Sequence, residues 1–148
     1  PESGTRRNYM TDDARTMGRK MDALYMDGGE IFNFTLRTVS KLVSETLTAA
    51  NLDIADVSAF FFHQANKFIL KHLTSKIGIA LENAPINIDL YGNTSSASIP
   101  LLLTSSSWTD SRQKSFDKLA LFGFGVGYSW SSAIISIAPD VPLVNVEL

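Results

Sequence analysis

His63 and Asn93 are the two side chains whose types and surroundings best suit chemistry. His63 directly follows the apolar run Val57–Phe62 and precedes a stretch with helical periodicity. Ligands of α/β proteins gather at the carboxyl ends of strands, so a histidine there is well placed to act on a substrate. The structural alternative is a histidine that caps the following helix. Asn93 lies in a Gly-Asn-Thr-Ser sequence, where ordinary turn and helix-cap chemistry is the simpler explanation for an asparagine.

The other polar motifs point less clearly to chemistry. His72, the only other histidine, lies within a segment of helical periodicity, and we expect it at the surface or half-buried on that helix. The glycine-rich stretch 123–127 lacks the strand-then-helix context of a dinucleotide-binding loop, so we interpret it as a turn between strands. No second histidine or carboxylate cluster frames His63, so no metal site is predicted. The chain has no cysteine, which excludes disulfides, thiolate metal sites and a cysteine nucleophile within it.

Composition indicates a single globular domain. The 148 residues are 45% hydrophobic, and the formal net charge of −2 argues against nucleic-acid binding or a polybasic membrane anchor. No apolar run approaches the roughly 18 residues that span a bilayer. The polar N-terminus lacks both a signal peptide and an initiator Met. We therefore expect a cytoplasmic protein, and a fragment whose natural start lies upstream.

Hydrophobic periodicity divides the chain into alternating helices and strands. Apolar residues recur at spacings of three and four from Glu30 to Ala50, and Asp27 is placed to cap that helix. A second helix is predicted over 65–77, with Gly78 at its C-cap, and a third over 95–108. Strands are predicted at Val57–Phe62, Pro85–Asp89, Leu119–Phe124 and Tyr128–Ala138.

This order of elements predicts an α/β fold with a mixed sheet. The last two strands are joined by a tight connection and should be antiparallel. We assign residues 1–29 to an N-terminal loop or connecting segment, residues 30–138 to the folded domain, and residues 139–148 to a C-terminal tail.

Three separated motifs together resemble those of ketoacyl-ACP synthase III. They are FHQAN at 62–66, GNTSSASIP at 92–100 and FGVGYSW at 124–130, and they occur in that family's order and spacing. Upstream, MDGGEIF at 26–32 resembles the loop and helix start that precede them. The chain is thus similar to the C-terminal half of such an enzyme over roughly residues 20–138.

The resemblance implies a thiolase-like half, with a mixed five-stranded sheet and helices packed on its faces. It implies an acyltransferase that condenses an acyl thioester with malonyl-ACP, with loss of CO2, in fatty acid biosynthesis. Coenzyme A or phosphopantetheine thioesters are then substrates, and no cofactor is needed. The implied partners are acyl carrier protein, acyl-CoA, an N-terminal half that carries the catalytic Cys, and a second copy in a homodimer. This chain alone would be inactive.

By the same resemblance, His63 and Asn93 donate hydrogen bonds to the thioester oxygen of the malonyl group as an enolate forms. Neither side chain carries negative charge, so neither opposes that oxyanion. Backbone N–H groups at Gly125 and Val126 would stabilise the oxyanion of the condensation step. The residues expected to contact the substrate are Phe124 and Asn66.

Two positions depart from the family pattern. Val126 stands where the family has the central residue of a Gly-Gly-Gly turn, and its side chain would alter the acyl pocket or the loop. Phe68 stands where an arginine is common, on the helix thought to dock the acidic carrier protein. Positive charge remains on that helix at Lys67, Lys71 and Lys76, for which carrier docking and an ordinary solvated face are equal alternatives.

Two other functions stay open. One is a synthase III-like acyltransferase of a secondary or surface-polysaccharide pathway, which would transfer the acyl group without elongation. Val126 and Phe68 favour this alternative slightly. The other is a non-catalytic thiolase-fold module that binds acyl thioesters or a partner, which would explain the absence of cysteine.

Overall fold

The computed structural model describes residues 27–105, 117–125, 128–138 and 140–143. Its helices are α1 (Gly28–Phe34), α2 (Ser40–Ala50), α3 (Lys67–Ile77), α4 (Ile88–Tyr91) and α5 (Ser98–Leu103), with a π-helical segment (Thr35–Val39) between the first two. The strands are β1 (Ala59–Phe62), β2 (Leu119–Gly125) and β3 (Ser129–Ile135). Short 3₁₀ turns lie at Ile54–Asp56, Leu81–Asn83 and Ser95–Ala97. Within these described ranges, no helix has the length and apolar character needed to cross a membrane.

Helices α1 and α2 confirm the helix predicted over 30–50, although it begins two residues earlier, at Gly28. The Asp27 carboxylate accepts hydrogen bonds from the N–H groups of Gly29 and Glu30, both at 3.1 Å. Two of the N–H groups that lack a partner inside the helix are thereby satisfied. Asn51 ends the helix in the left-handed conformation, with φ 53°.

The π-helical segment joins α1 to α2 and packs against α3. Its Leu36 carbonyl accepts a hydrogen bond from Ser40 Oγ and another from Lys76 Nζ, each at 2.7 Å. Ser40 begins α2 and Lys76 lies in the last turn of α3, so the Leu36 carbonyl connects these two helices. Side chains thus supply part of the bonding that an irregular helical turn lacks within its own backbone.

The sheet is mixed, in the order β1-β2-β3. Strand β1 pairs in parallel with β2, with Phe60 opposite Ala120 and Phe62 opposite Phe122. Strand β2 pairs with β3 as an antiparallel hairpin, which confirms that prediction, with Phe124 opposite Trp130. The strand predicted at Val57–Phe62 begins two residues later, at Ala59, and all four of its residues are buried, so it is covered on both faces as predicted.

Alternate residues of β1 and β2 point into two separate apolar clusters, because side chains alternate between the faces of a strand. On one face, Phe60, Phe62 and Phe122 pack with buried residues of α2 and α3. On the other face, Phe61 packs with a smaller group that includes Leu102 of α5. Burying each phenylalanine contributes on the order of 2 kcal/mol, so this pair of strands fixes the position of both helical layers.

The strand predicted at Pro85–Asp89 is wrong. Residues 88–91 form the short helix α4 instead. Pro85 has no N–H group for a ladder. The N–H group of Asn87 donates to the side chain of Gln64 rather than to a neighbouring strand. The predicted sheet of five strands is corrected accordingly, because the described part of the chain contributes three.

The helix predicted over 95–108 is confirmed only in part. A 3₁₀ turn at Ser95–Ala97 precedes α5, which ends at Leu103. The end of the predicted helix at Trp108 lies outside the described residues, as do most of the N-terminal segment assigned to 1–29 and the last part of the tail assigned to 139–148. Helix α3 starts at Lys67 instead of residue 65, and Gly78 caps it as predicted, with φ 83°.

Replacing Gly78 with alanine tests this helix cap. An alanine Cβ would meet no atom within 4 Å, so the only cost is the left-handed backbone, about 1 kcal/mol of unfolding free energy. Gly28→Ala is the matched control, since its Cβ also has open space and its φ is not in the left-handed region. We expect urea denaturation to show lower stability for Gly78→Ala and no loss for Gly28→Ala. Equal stability of the two variants would contradict the cap.

Candidate active site

His63 lies at the carboxyl end of β1, where the sequence places it. Its backbone N–H group donates to the carbonyl of Phe122 at 2.9 Å, so the ladder between β1 and β2 extends to this residue. The imidazole is half-buried and meets the ring of Phe124 edge to face, with ring centroids 5.5 Å apart. The backbone and the ring of His63 are therefore both held by β2.

Burial lowers the pKa of His63 below its ordinary value of 6.5, because removal from water disfavours the charged ring. A hydrogen bond with the backbone of Ser95 opposes this by raising the pKa, and it is the smaller effect. The ring is therefore neutral at pH 7. A neutral imidazole has one N–H donor and one bare nitrogen.

Asn93 lies on the exposed loop between α4 and the 3₁₀ turn. Its Oδ1 atom accepts a hydrogen bond from the N–H group of Ser95 at 3.0 Å. The loop reverses through two left-handed residues, Gly92 with φ 68° and Ser95 with φ 52°. Since Ser95 also contacts the ring of His63, one residue joins the two predicted site residues. The carbonyl end of the Asn93 amide is engaged by the loop, and its other end is the NH₂ group, a donor.

The hairpin β2–β3 borders the same site. Phe124 is almost fully buried against His63, consistent with a side chain that limits access to it. Gly125 is the last residue of β2 and pairs with Ser129. The turn beyond it, with the predicted backbone donor of Val126, lies outside the described residues.

Asn66 has a structural role in addition to the substrate contact predicted for it. It is the N-cap of α3, and its Oδ1 accepts from the N–H groups of Phe68 at 2.8 Å and Ile69 at 3.3 Å. The sequence shows this signal, since an asparagine stands directly before the apolar periodicity of the helix. His63, which lies outside the helix and before this cap, is therefore not its N-cap.

Gln64 is a residue of this region that sequence reasoning did not single out. Its side chain is buried, and both ends of its amide are bonded: Nε2 donates to the carbonyl of Phe62 at 2.9 Å, and Oε1 accepts from the N–H group of Asn87 at 3.2 Å. A buried glutamine is unusual unless it is paired in this way. Its place beside His63 in the motif is the only signal that the sequence offers.

The three lysines proposed for partner docking differ in their surroundings. Lys67 forms an ion pair with Asp89, and Lys76 donates to the Leu36 carbonyl, so both charges are partly engaged by the chain itself. Lys71 is exposed on the same helix. The ring of Phe68 is 60% exposed. The surface of α3 therefore presents an aromatic ring beside its positive charge.

His72 is exposed on α3, as predicted, and its ring packs on Phe68 with centroids 4.0 Å apart. Within the residues that the structure describes, no three histidine or carboxylate side chains come together as a metal site. His63, at the end of a buried strand, and Asn93, on the loop after α4, are the two uncharged side chains that the sequence predicts as donors. Such a pair suits the stabilisation of negative charge that develops on a substrate oxygen.

Comparison with known proteins identifies the family that the chain resembles in sequence and in fold. Residues 47–137 match the family model for the C-terminal region of 3-oxoacyl-[acyl-carrier-protein] synthase III. The beta-ketoacyl-[acyl-carrier-protein] synthase III of Streptococcus gordonii is 38% identical over 117 residues, which cover 77% of this chain and 36% of that protein. The chain thus spans about a third of the length of this curated relative.

Solved structures give the same result. A 3-oxoacyl-(acyl-carrier protein) synthase from Burkholderia xenovorans superimposes with a TM-score of 0.77 at 54% identity, covering 86% of this chain and 36% of that one. The priming beta-ketosynthase of the R1128 polyketide pathway superimposes with a TM-score of 0.68 at 30% identity, covering 79% of this chain and 36% of the other.

A Phe124→Ala substitution tests the environment of His63. Removing the ring admits water to the imidazole, so the pKa of His63 should rise toward 6.5. Because the folded-state pKa is the lower one, the stability linked to this group is complete above pH 6.5 and is lost as the pH falls through the folded-state pKa. An NMR titration of the His63 ring measures the shift.

Phe32→Ala is the control, because the Phe32 ring packs against the other histidine, His72, and against Phe68. A His63 pKa that does not move in Phe124→Ala would contradict this account.

Proposed function

Since this chain belongs to the 3-oxoacyl-[acyl-carrier-protein] synthase III family, whose C-terminal region it matches, we propose that it supplies the decarboxylation half of such an enzyme's active site. The observation that carries the proposal is the position of the half-buried His63 at the carboxyl end of β1, where its ring packs against Phe124. Ser95, which bonds to Asn93, also interacts with that ring through its backbone. The reaction is the condensation of an acyl thioester with malonyl-ACP in fatty acid biosynthesis.

The proposed reaction has two halves. An acyl group first passes from coenzyme A, or a related thioester, to a cysteine thiol that this chain does not contain. The malonyl thioester then loses CO2: the bond between its α-carbon and the carboxylate breaks, and the electron pair moves toward the thioester oxygen as an enolate. The enolate carbon attacks the acyl carbonyl, and the cysteine thiolate leaves.

His63 and Asn93 act in the second half. Each donates a hydrogen bond to the thioester oxygen, whose negative charge grows as CO2 departs. The lowered pKa of His63 supports this role, because the ring stays neutral and keeps its proton while acting as a donor. Donors already fixed by the loop and the strand need little reorganisation, and removing one such group typically costs about 100- to 1,000-fold in rate.

The condensation step needs donors of its own. We assign them to the backbone N–H groups at Gly125 and Val126, with a further one from the cysteine. Phe124, between the strand end and His63, would separate the acyl pocket from the malonyl site. Asn66 would contact the substrate through its NH₂ group, since its Oδ1 caps α3.

The proposed partners follow from this chemistry. They are acyl carrier protein, acyl-CoA, an N-terminal half that bears the cysteine, and a second copy of the complete enzyme. Carrier docking on α3 would rely mainly on Lys71, because Lys67 and Lys76 are engaged by Asp89 and by the Leu36 carbonyl.

A second candidate is a synthase III-like acyltransferase of a secondary or surface-polysaccharide pathway, which transfers the acyl group without elongation. The exposed Phe68 favours it, because an aromatic ring occupies a position where the family commonly has an arginine for carrier docking. A non-catalytic binding module is the remaining alternative.

Substitution of the two donors tests their role in decarboxylation. In the protein translated from the complete reading frame, His63→Ala and Asn93→Ala should each slow CO2 release from malonyl-ACP by about 100- to 1,000-fold. Acyl transfer from acyl-CoA to the cysteine should continue at the parental rate. Radiolabelled CO2 release and mass spectrometry of the acyl-enzyme measure the two halves.

The chain provides a matched control in its other histidine, since His72→Ala removes an exposed imidazole on α3. This variant should retain both half-reactions. Equal losses of acylation and decarboxylation in His63→Ala would indicate a structural role for that residue.

A direct assay separates the candidate functions. The protein from the complete reading frame, given acyl-CoA and malonyl-ACP, should release CO2 and form a 3-oxoacyl product. The 148-residue chain alone should form none, because it has no thiol to accept the acyl group. Failure of the complete protein to give either product would reject the condensing enzyme, and acyl transfer without CO2 release would favour the second candidate. Condensation by the isolated chain would reject the half-site.

A further inference from the structure

Gln64 connects two parts of the chain that are 23 residues apart in sequence. Its side chain is only 1% exposed. One end of the amide donates to the carbonyl of Phe62, the last residue of β1, and the other end accepts from the N–H group of Asn87, just before α4. Both bonds are buried, where hydrogen bonds are stronger and an unmade one costs more than at the surface.

Asn87 begins the segment that ends at the site. Its carbonyl accepts from the N–H groups of Leu90 at 2.9 Å and Tyr91 at 3.2 Å, which forms the turn of α4. The N–H group of Gly92 then donates to the carbonyl of Ile88 at 2.8 Å. Gly92 directly precedes Asn93, so backbone bonds link the residue held by Gln64 to the residue that carries the amide donor.

The segment returns to β1 at its other end. Asn93 bonds to Ser95, and Ser95 contacts the ring of His63. His63 and Gln64 are neighbours in sequence, so the contacts close a ring that begins and ends at the carboxyl end of β1. The exposed ion pair between Lys67 and Asp89 also reaches this segment, but exposed pairs contribute little.

We infer that Gln64 is a positioning residue, whose two buried hydrogen bonds hold the segment 87–95 so that the Asn93 amide lies beside the His63 ring. The inference rests on the proposed function, and it identifies what aligns the two donors. Gln64 itself touches no substrate in this account. Loss of the Gln64 side chain should therefore slow decarboxylation, which needs both donors, and leave acylation of the cysteine, which needs neither, unchanged.

Two substitutions test this in the protein from the complete reading frame. Gln64→Met keeps the length of the side chain and removes both hydrogen bonds. It should slow CO2 release from malonyl-ACP by about 100-fold, the typical effect of a displaced catalytic group, without slowing acylation of the cysteine. Gln64→Glu keeps the acceptor, but has the donor only while the carboxyl group is protonated. Its CO2 release, relative to the parent at each pH, should recover as the pH falls.

Thr74→Val is the control, because Thr74 is equally buried and its hydroxyl donates to a carbonyl within α3, away from the site. It should leave both half-reactions at parental rates. Equal loss of both half-reactions in Gln64→Met would overturn the inference. A Gln64→Glu variant whose rate of CO2 release, relative to the parent, is the same at every pH would also overturn it. This pH comparison is the deciding test if Gln64→Met does not fold.

A measurement without catalysis separates this inference from the proposed function. In Gln64→Met, amide hydrogen exchange at Gly92 should be about tenfold faster than in the parent, since the buried hydrogen bond from Asn87 to the Gln64 side chain is lost. Exchange at Gly78, the cap of α3, should not change. If the parent protein releases no CO2, the proposed function fails and the exchange at Gly92 still tests the positioning role. Unchanged exchange there would reject it.

Discussion

The parallel pairing of β1 with β2 is the constraint on which the rest of the structure depends. β1 is four buried residues long, and its phenylalanines face two clusters, so helices on both sides are placed by this one strand. The ladder continues to the backbone of His63, which bonds to Phe122. The position of the His63 imidazole is therefore set by the same hydrogen bonds that assemble the core, and Phe124, two residues further along β2, covers the ring.

Much of this fold could be predicted where local pattern and burial agree. In four places a few neighbouring residues are enough to predict the local structure. They are the helical periodicity of Phe32 to Ala50, the cap at Asp27, the apolar β1 and the left-handed Gly78. The segment 85–91 could not be predicted this way. Its apolar alternation is typical of a strand, but a glutamine 23 residues before Asn87 takes the N–H group that a strand would need.

The candidate site, like the fold, could be predicted from the sequence only in part. His63 could be found from its place after a buried strand, whereas Asn93 could not be distinguished from a turn residue without the motif. What brings the two together is the left-handed Ser95, which meets one residue through its N–H group and contacts the ring of the other. Such a contact depends on the path of the whole loop, and no local pattern encodes it. The cap at Asn66, by contrast, could be predicted from its place directly before a helix, although the motif favoured a substrate contact there.

The π-helical turn at 35–39 determines how α1 is rotated relative to α2. An added residue in a turn rotates the helix on its N-terminal side by about 100° relative to the helix on its C-terminal side. The turn thereby sets the direction of the α1 rings, with Phe32 stacked on Phe68 and Phe34 on Tyr128 at 4.3 Å, relative to the apolar stripe that α2 packs on the sheet. Deleting a single residue there would restore a regular helix but put its two ends out of phase. The irregular turn therefore sets the rotation of α1, with its aromatic rings, relative to α2, with its core residues.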